Sequence, residues 1–142
     1  MKNKIHNYDF LVAGAGLTGS LAALHFIKKG YRVLVIDKNI KNGSDKRTLA
    51  VNANSKDFLS NLGLWRELVS KPQKINKIVI KDTINNNPLI FENKEEEMGN
   101  VIMNSELLSA ARKKLISKKK IIELKDFDVS QIKPNKVILI ND

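Results

Sequence analysis

Gly14, Gly16 and Gly19 stand in the stretch GAGLTG with the spacing G-x-G-x-x-G. In that spacing each glycine has a separate task. The first permits a tight turn, the second lets backbone approach a pyrophosphate, and the third lets a helix pack closely on a strand. An acidic residue, Asp37, follows about 20 residues later, where a carboxylate can accept hydrogen bonds from both hydroxyls of an adenosine ribose. The chemistry on offer is therefore recognition of a dinucleotide: phosphates at the glycines and ribose at Asp37. A carboxylate at this place disfavours a 2′-phosphate, so NADP does not suit this site. The spacing alone does not separate FAD from NAD.

The motif needs a strand before it and a helix after it. YDFLVAG, from Tyr8 to Gly14, is short, apolar and ended by glycine, as a buried strand would be. Leu17, Leu21, Leu24 and Ile27 supply helical spacing from Leu17 to Lys29, and Gly30 suits the position just past the helix end. YRVLVID, from Tyr31 to Asp37, is a second β-branched apolar run. Strand, helix and strand in this order make a βαβ unit with parallel strands and a right-handed crossover. The helix start turns unpaired N–H groups and a positive dipole end toward the phosphates. The cofactor-binding candidates are therefore Gly14, Gly16, Leu17, Thr18, Gly19 and Asp37, with Lys38 adjoining.

Beyond Asp37 a polar loop leads to a helix that starts near Asn54 or Ser55 and stops at Gly63, with Trp65 anchoring its end in the core. KINKIVIKD and NPLIFEN read as two strands across a turn-rich link. The acidic run Glu95–Glu97 reads as a solvated loop. Asn104 can cap a further helix with Leu107, Leu108, Ala111 and Leu115 on one face and Lys118–Lys120 at its C-terminal end. KIIEL is a third short strand, and DFDVSQI with NKVILIN reads as a hairpin around Pro134 and Asn135. The fold class expected is α/β: a Rossmann-like βαβ with a parallel sheet, plus additional strands and a hairpin.

The chain has 142 residues, 25 Lys and Arg against 15 Asp and Glu, and a net charge of +10. That length suits one domain, residues 1–142. The charge excess is mostly lysine spread along an Asn- and Ile-rich chain, with no basic stripe interleaved with aromatics, so nucleic acid is not an expected partner. There are no cysteines, and His6 and His25 stand far apart, which leaves no thiolate or histidine metal site. The basic, apolar N-terminus imitates a secretory signal, but Asp9 and the recurring glycines argue against one, and the cytoplasm is the expected location. His25, within the first helix, reads as a packing or surface residue.

DKRTLAVNANSKDFLSNLGLW is the next landmark. It resembles the FAD-dependent aromatic hydroxylases, and within them the ubiquinone-biosynthesis hydroxylase group. Asp45, Arg47, Thr48, Ala50, Ser55, Leu59 and the run Leu62, Gly63, Leu64, Trp65 match that group's pattern. Met98, Gly99, Val101, Ile102, Asn104, Leu107 and Ala110 match a later segment, in the same order. The resemblance implies FAD along Gly14–Gly19, its ribose on Asp37, and Arg47 near the flavin's phosphates and ring. It implies a backbone contact to the adenine at Val129. It further implies NAD(P)H as reductant, O2 as oxidant, and hydroxylation of a phenolic ring, a quinone precursor. Partners in a quinone-biosynthesis complex and peripheral association with the inner face of the membrane are implied as well. No residue of the chain is expected to be catalytic in its own right.

Two departures accompany the resemblance. Ser105 stands where many relatives carry an arginine that helps hold the cofactor. The distal Gly-Asp motif of the group, and most of its substrate domain, have no counterpart in this sequence. The expectation is an N-terminal part of an FAD-binding domain, incomplete relative to the family fold and not competent for hydroxylation alone. Two alternatives remain: another FAD-dependent oxidoreductase, such as a prenyl reductase or an amine oxidase, and a non-catalytic nucleotide-binding fragment.

Overall fold

The computed structural model describes residues 8–40, 45–68, 70–81, 87–93 and 97–123. In chain order the elements are β1 (Phe10–Ala13), α1 (Leu17–Lys28), β2 (Val33–Asp37), β3 (Thr48–Val51) and α2 (Ala53–Asn61). After a 3-10 turn at Trp65–Glu67 come β4 (Gln73–Ile75), β5 (Lys77–Ile80), β6 (Leu89–Glu92), β7 (Gly99–Met103), α3 (Asn104–Ser117) and β8 (Ile121–Glu123). The fold is mixed α/β, as the sequence predicts. Of the described residues, 8–40 with 115–123 form one compact unit and 45–114 form another.

The first unit holds a parallel sheet in the order β1-β2-β8. Phe10 pairs with Val33 and Ala13 with Ile36, while Val35 pairs with Ile121 on the other side of β2. Val33, Leu34, Val35 and Ile36 are all 0–2% exposed, so both faces of β2, the central strand of this sheet, are covered. Alternating burial is lost in such a strand, which is why YRVLVID is apolar throughout. β1 departs from the buried strand expected. Among the described residues β2 is its one partner, and Phe10 and Ala13 stay exposed while Leu11 and Val12 are half-buried.

Aromatic side chains tie α1 to the start of the sheet. Phe10 stacks on Phe26 with centroids 4.5 Å apart, and Tyr31 meets Phe10 edge-on at 5.1 Å. Such pairs contribute about 0.5–1.5 kcal/mol beyond the area they bury. The end of α1 follows from Gly30, whose φ is +93°. Its N–H donates to the Ile27 carbonyl, and that of Tyr31 to the Phe26 carbonyl, the paired bonds of a left-handed helix stop. α3 ends the same way at Lys119, with φ +53°, where glycine is the usual residue.

In the second unit β7 lies between β3 and β4, antiparallel to both. Neither β3 nor β7 is predicted from the sequence, since TLAV and GNVIM are short and become strands by pairing with each other. KINKIVIKD proves to be two strands rather than one. Asn76, a poor strand former, divides β4, which pairs with β7, from β5, which pairs with β6. In the β5–β6 ribbon the cross-strand pairs Ile78–Phe91 and Ile80–Leu89 share one face, and all four are exposed.

Leu59, Leu62 and Leu64 form the buried end of α2, whereas Trp65 is only half-buried and carries the Lys56 ammonium over its ring at 5.5 Å. The core anchor of that end is Leu64 rather than Trp65. Glu97 is likewise no solvated charge. It takes hydrogen bonds from Lys56 and, at 3.1 Å, from Asn100, with the Lys74 ammonium 3.6 Å away. Glu95, Glu96, Val129 and the hairpin around Pro134 lie outside the described residues.

Candidate functional site

The turn between β1 and α1 is built by two different constraints on glycine. Gly14 has φ +106°, a conformation open to glycine at little cost. Its N–H donates to the Ile36 carbonyl at 2.7 Å, which fastens the turn to β2. Gly19 is held to glycine by packing. A Cβ there would lie 2.1 Å from the Gly14 carbonyl oxygen and 3.3 Å from Cγ1 of Val12. The third glycine therefore sets how closely α1 approaches β1.

Gly16 is under neither constraint. Its φ and ψ, −67° and −179°, suit any residue, and a Cβ would meet nothing within 4 Å. It is the N-cap of α1, a place where Ser, Thr, Asn or Asp normally accepts a hydrogen bond from the helix. Here no side chain caps the helix and no acidic residue stands in its first turn. The first intrahelical bond runs from the Ser20 N–H to the Gly16 carbonyl. Helix geometry leaves the N–H groups of Leu17, Thr18 and Gly19 without intrahelical acceptors, at the positive end of the dipole. An open space in front of uncompensated donors is what an anion requires.

Asp37 closes the other side of the turn. One carboxylate oxygen accepts from the Ala15 N–H and the other from the Asn39 N–H at 2.8 Å. Each oxygen has two lone pairs, so both keep room for a hydroxyl donor. Ser20, fully buried one turn into α1, donates its hydroxyl to the Ala15 carbonyl at 3.1 Å. The structure thus brings Gly14, Gly16, Leu17, Thr18, Gly19 and Asp37 together, with Lys38 exposed just beyond β2. The donors of the turn and the acceptors of Asp37 fit a phosphate and a ribose respectively, so the residues present suit a dinucleotide. The motif names the glycines but not Ala15 or Ser20. Nothing in their types marks them, since one acts through its backbone and the other through burial.

Arg47 belongs to the second unit, just before β3. Its Nε donates to the Asp45 oxygens at 2.9 and 3.1 Å and its Nη2 to Oδ2 at 2.8 Å. The Arg47 side chain is 81% exposed and that of Asp45 21%. These hydrogen bonds from Arg47, with another from Asn104, hold the Asp45 carboxyl well below the usual carboxylate range. Asn104 starts α3 and turns its amide to Asp45. Ser105, the position of the missing arginine, is half-buried in the first turn of α3.

The family described as FAD binding domain matches residues 7–134. The chain belongs to this family. Among the curated proteins none matches. Solved structures share the fold. The tetrameric form of 2-methyl-3-hydroxypyridine-5-carboxylic acid oxygenase aligns over 80% of this chain and 30% of its own, with a TM-score of 0.64 at 17% identity. FqzB aligns over 80% and 28%, with a TM-score of 0.65 at 18% identity. CtdE, solved in complex with FAD, aligns over 82% and 30%, with a TM-score of 0.56 at 19% identity. The chain therefore spans under a third of the length of these proteins. FAD is the dinucleotide that the family assigns. Among the described residues, no cluster could hold a metal ion and no helix is long and apolar enough to cross a membrane.

Proposed function

We propose that this chain is the FAD-binding portion of a flavoprotein monooxygenase that hydroxylates a phenolic ring, a ubiquinone precursor, with NAD(P)H and O2. The observation that carries the reading is the uncapped N-terminus of α1 behind Gly14 and Gly16, with the Asp37 carboxylate across the turn. In this reading the N–H groups of Leu17, Thr18 and Gly19 hold the pyrophosphate and Asp37 accepts from the ribose hydroxyls. Lys38 adds a positive charge at the rim. Arg47 forks onto a phosphate, a task its planar group performs better than a lysine would. Bound FAD supplies the redox chemistry, taking electrons from NAD(P)H and passing them to O2. The protein groups bind, orient and keep water away.

The ubiquinone-precursor substrate is supported by the Asp45-to-Ala50 and Leu62-to-Trp65 stretches, which resemble that hydroxylase group. The net charge of +10 suits association with an anionic membrane surface, where polyprenylated phenols and the other members of a quinone-biosynthesis complex would be met.

Titration of the purified chain with FAD, followed by flavin fluorescence, tests the binding step. Saturable quenching that is weakened about 10- to 100-fold in Asp37→Ala is expected, from the 1.5–3 kcal/mol of hydrogen bonds to a charged group. Quenching indifferent to Asp37 would count against it. The hydroxylation step belongs to a protein in which this segment is joined to the distal flavin motifs. With isotopically labelled O2, label should enter a polyprenylated phenol ring. Label confined to water and hydrogen peroxide would contradict that step.

A further inference from the structure

Ser20 is a polar residue with no exposed surface, one turn into α1. A serine inside a helix commonly turns its hydroxyl to the carbonyl three or four residues back. Here the carbonyl four back, that of Gly16, takes the Ser20 N–H. The hydroxyl reaches past it to the Ala15 carbonyl at 3.1 Å, outside the helix. Packing alone does not ask for that hydroxyl. Alanine fills nearly the same space, favours a helix more, and brings no polar group to be satisfied.

The bond acts on one peptide plane. Ala15 stands between Gly14, with φ +106°, and Gly16, which no packing restrains. The Ala15 N–H, on the peptide before it, is held by Asp37. The Ala15 carbonyl, on the peptide after it, is held by Ser20. A peptide is planar and trans, so its N–H points opposite to its carbonyl. With the carbonyl turned inward to a buried hydroxyl, the N–H of that same peptide, on Gly16, is turned outward. Gly16 is exposed, and its N–H has no acceptor among the described residues.

We infer that Ser20 is a positioning residue of the dinucleotide site. Its hydroxyl fixes the peptide between Ala15 and Gly16 and so aims the Gly16 N–H at a phosphate, as a fourth donor beside those of Leu17, Thr18 and Gly19. The inference rests on the reading that this chain binds FAD at the turn between β1 and α1. All of these residues belong to the first compact unit.

In Ser20→Ala the ligand must order this peptide itself, and the dissociation constant for FAD should rise about three- to tenfold. A general loosening of the turn would give the same rise, so the deciding readout is residue by residue. Titrated with ADP and followed by amide NMR, the wild-type chain should show downfield shifts of the Gly16, Thr18 and Gly19 protons. In Ser20→Ala the Gly16 shift at saturation should largely vanish while those of Thr18 and Gly19 persist. A uniform loss across the three amides, or a Gly16 shift as large as in the wild type, overturns the inference and leaves FAD binding intact. A second readout needs neither variant nor ligand. The Ser20 hydroxyl proton of the wild-type chain should be seen by NMR in slow exchange with water, as a buried, bonded hydroxyl is; its absence overturns the clamp on its own. A wild-type chain that takes up neither FAD nor ADP overturns the inference together with the reading beneath it.

Discussion

Replacing Gly16 by serine should make the free protein more stable and a worse binder of FAD. The backbone at Gly16 already has the extended geometry of a helix N-cap, and a Cβ there meets nothing within 4 Å. A serine hydroxyl can therefore reach the N–H of Thr18 or Gly19 without strain. Serine exceeds glycine as an N-cap by a few tenths of a kcal/mol, a rise in Tm of about 1–2 °C for a chain of this size. The same hydroxyl takes a donor meant for phosphate and fills the space through which it approaches. A loss of about 1.4 kcal/mol or more, tenfold or greater in Kd, is expected. Gly19→Ala should behave oppositely in the free protein. Its Cβ would sit 2.1 Å from the Gly14 oxygen against a floor of 3.0 Å, so α1 must move by about 0.9 Å. Overpacking of that kind costs about 1–3 kcal/mol, partly offset by the better helix propensity of alanine. Urea melts by circular dichroism and FAD titration of both variants are the assays. A Gly16→Ser protein that binds FAD as tightly as wild type refutes the assignment of Gly16 to the ligand. A Gly19→Ala protein with unchanged stability refutes its assignment to packing.

Lys119→Gly should stabilise the chain by about 0.5–1 kcal/mol, because lysine at φ +53° is strained and glycine is not; a lower Tm would contradict this. Lys114→Met should cost about 1 kcal/mol in a urea melt, since the ammonium donates to the Leu62 carbonyl at 2.7 Å and caps the end of α2. Acid should loosen both units. Hydrogen bonds from Arg32 hold Asp9 down to about 2 against an ordinary 3.8, and those from Lys56 and Asn100 hold Glu97 to about 2 against 4.5. Both folded values lie below the unfolded ones, so the unfolded chain binds more protons and stability falls as pH drops from about 4.5 to 2. In Glu97→Gln, Tm should depend less on pH across that window; an unchanged slope would remove Glu97 from the explanation.

The glycine motif and its framing elements were legible because local signals agree there. An apolar run, a helical period and Gly30 all point to one βαβ unit, and the structure has it. The short strands β3 and β7 were not legible. TLAV and GNVIM become strands through each other, with Thr48 opposite Met103 and Val51 opposite Asn100, a pairing that sequence distance hides. Gly99 shows the same long-range cause, since a Cβ there would lie 2.7 Å from the Val51 carbonyl oxygen. Glu97 was misread for a similar reason: its partners Lys56, Lys74 and Asn100 sit on three different elements. Asp45 was visible as a residue type in a family pattern, but its fork to Arg47 and its link to Asn104, 59 residues away, needed the fold.

Binding of FAD by the purified chain tests the central claim most directly, read as quenching of flavin fluorescence together with the shift in Tm. The expected result is saturable quenching and a Tm that rises with FAD concentration, both diminished in Gly16→Ser and Asp37→Ala. A chain that neither quenches flavin nor gains stability at any FAD concentration would contradict it.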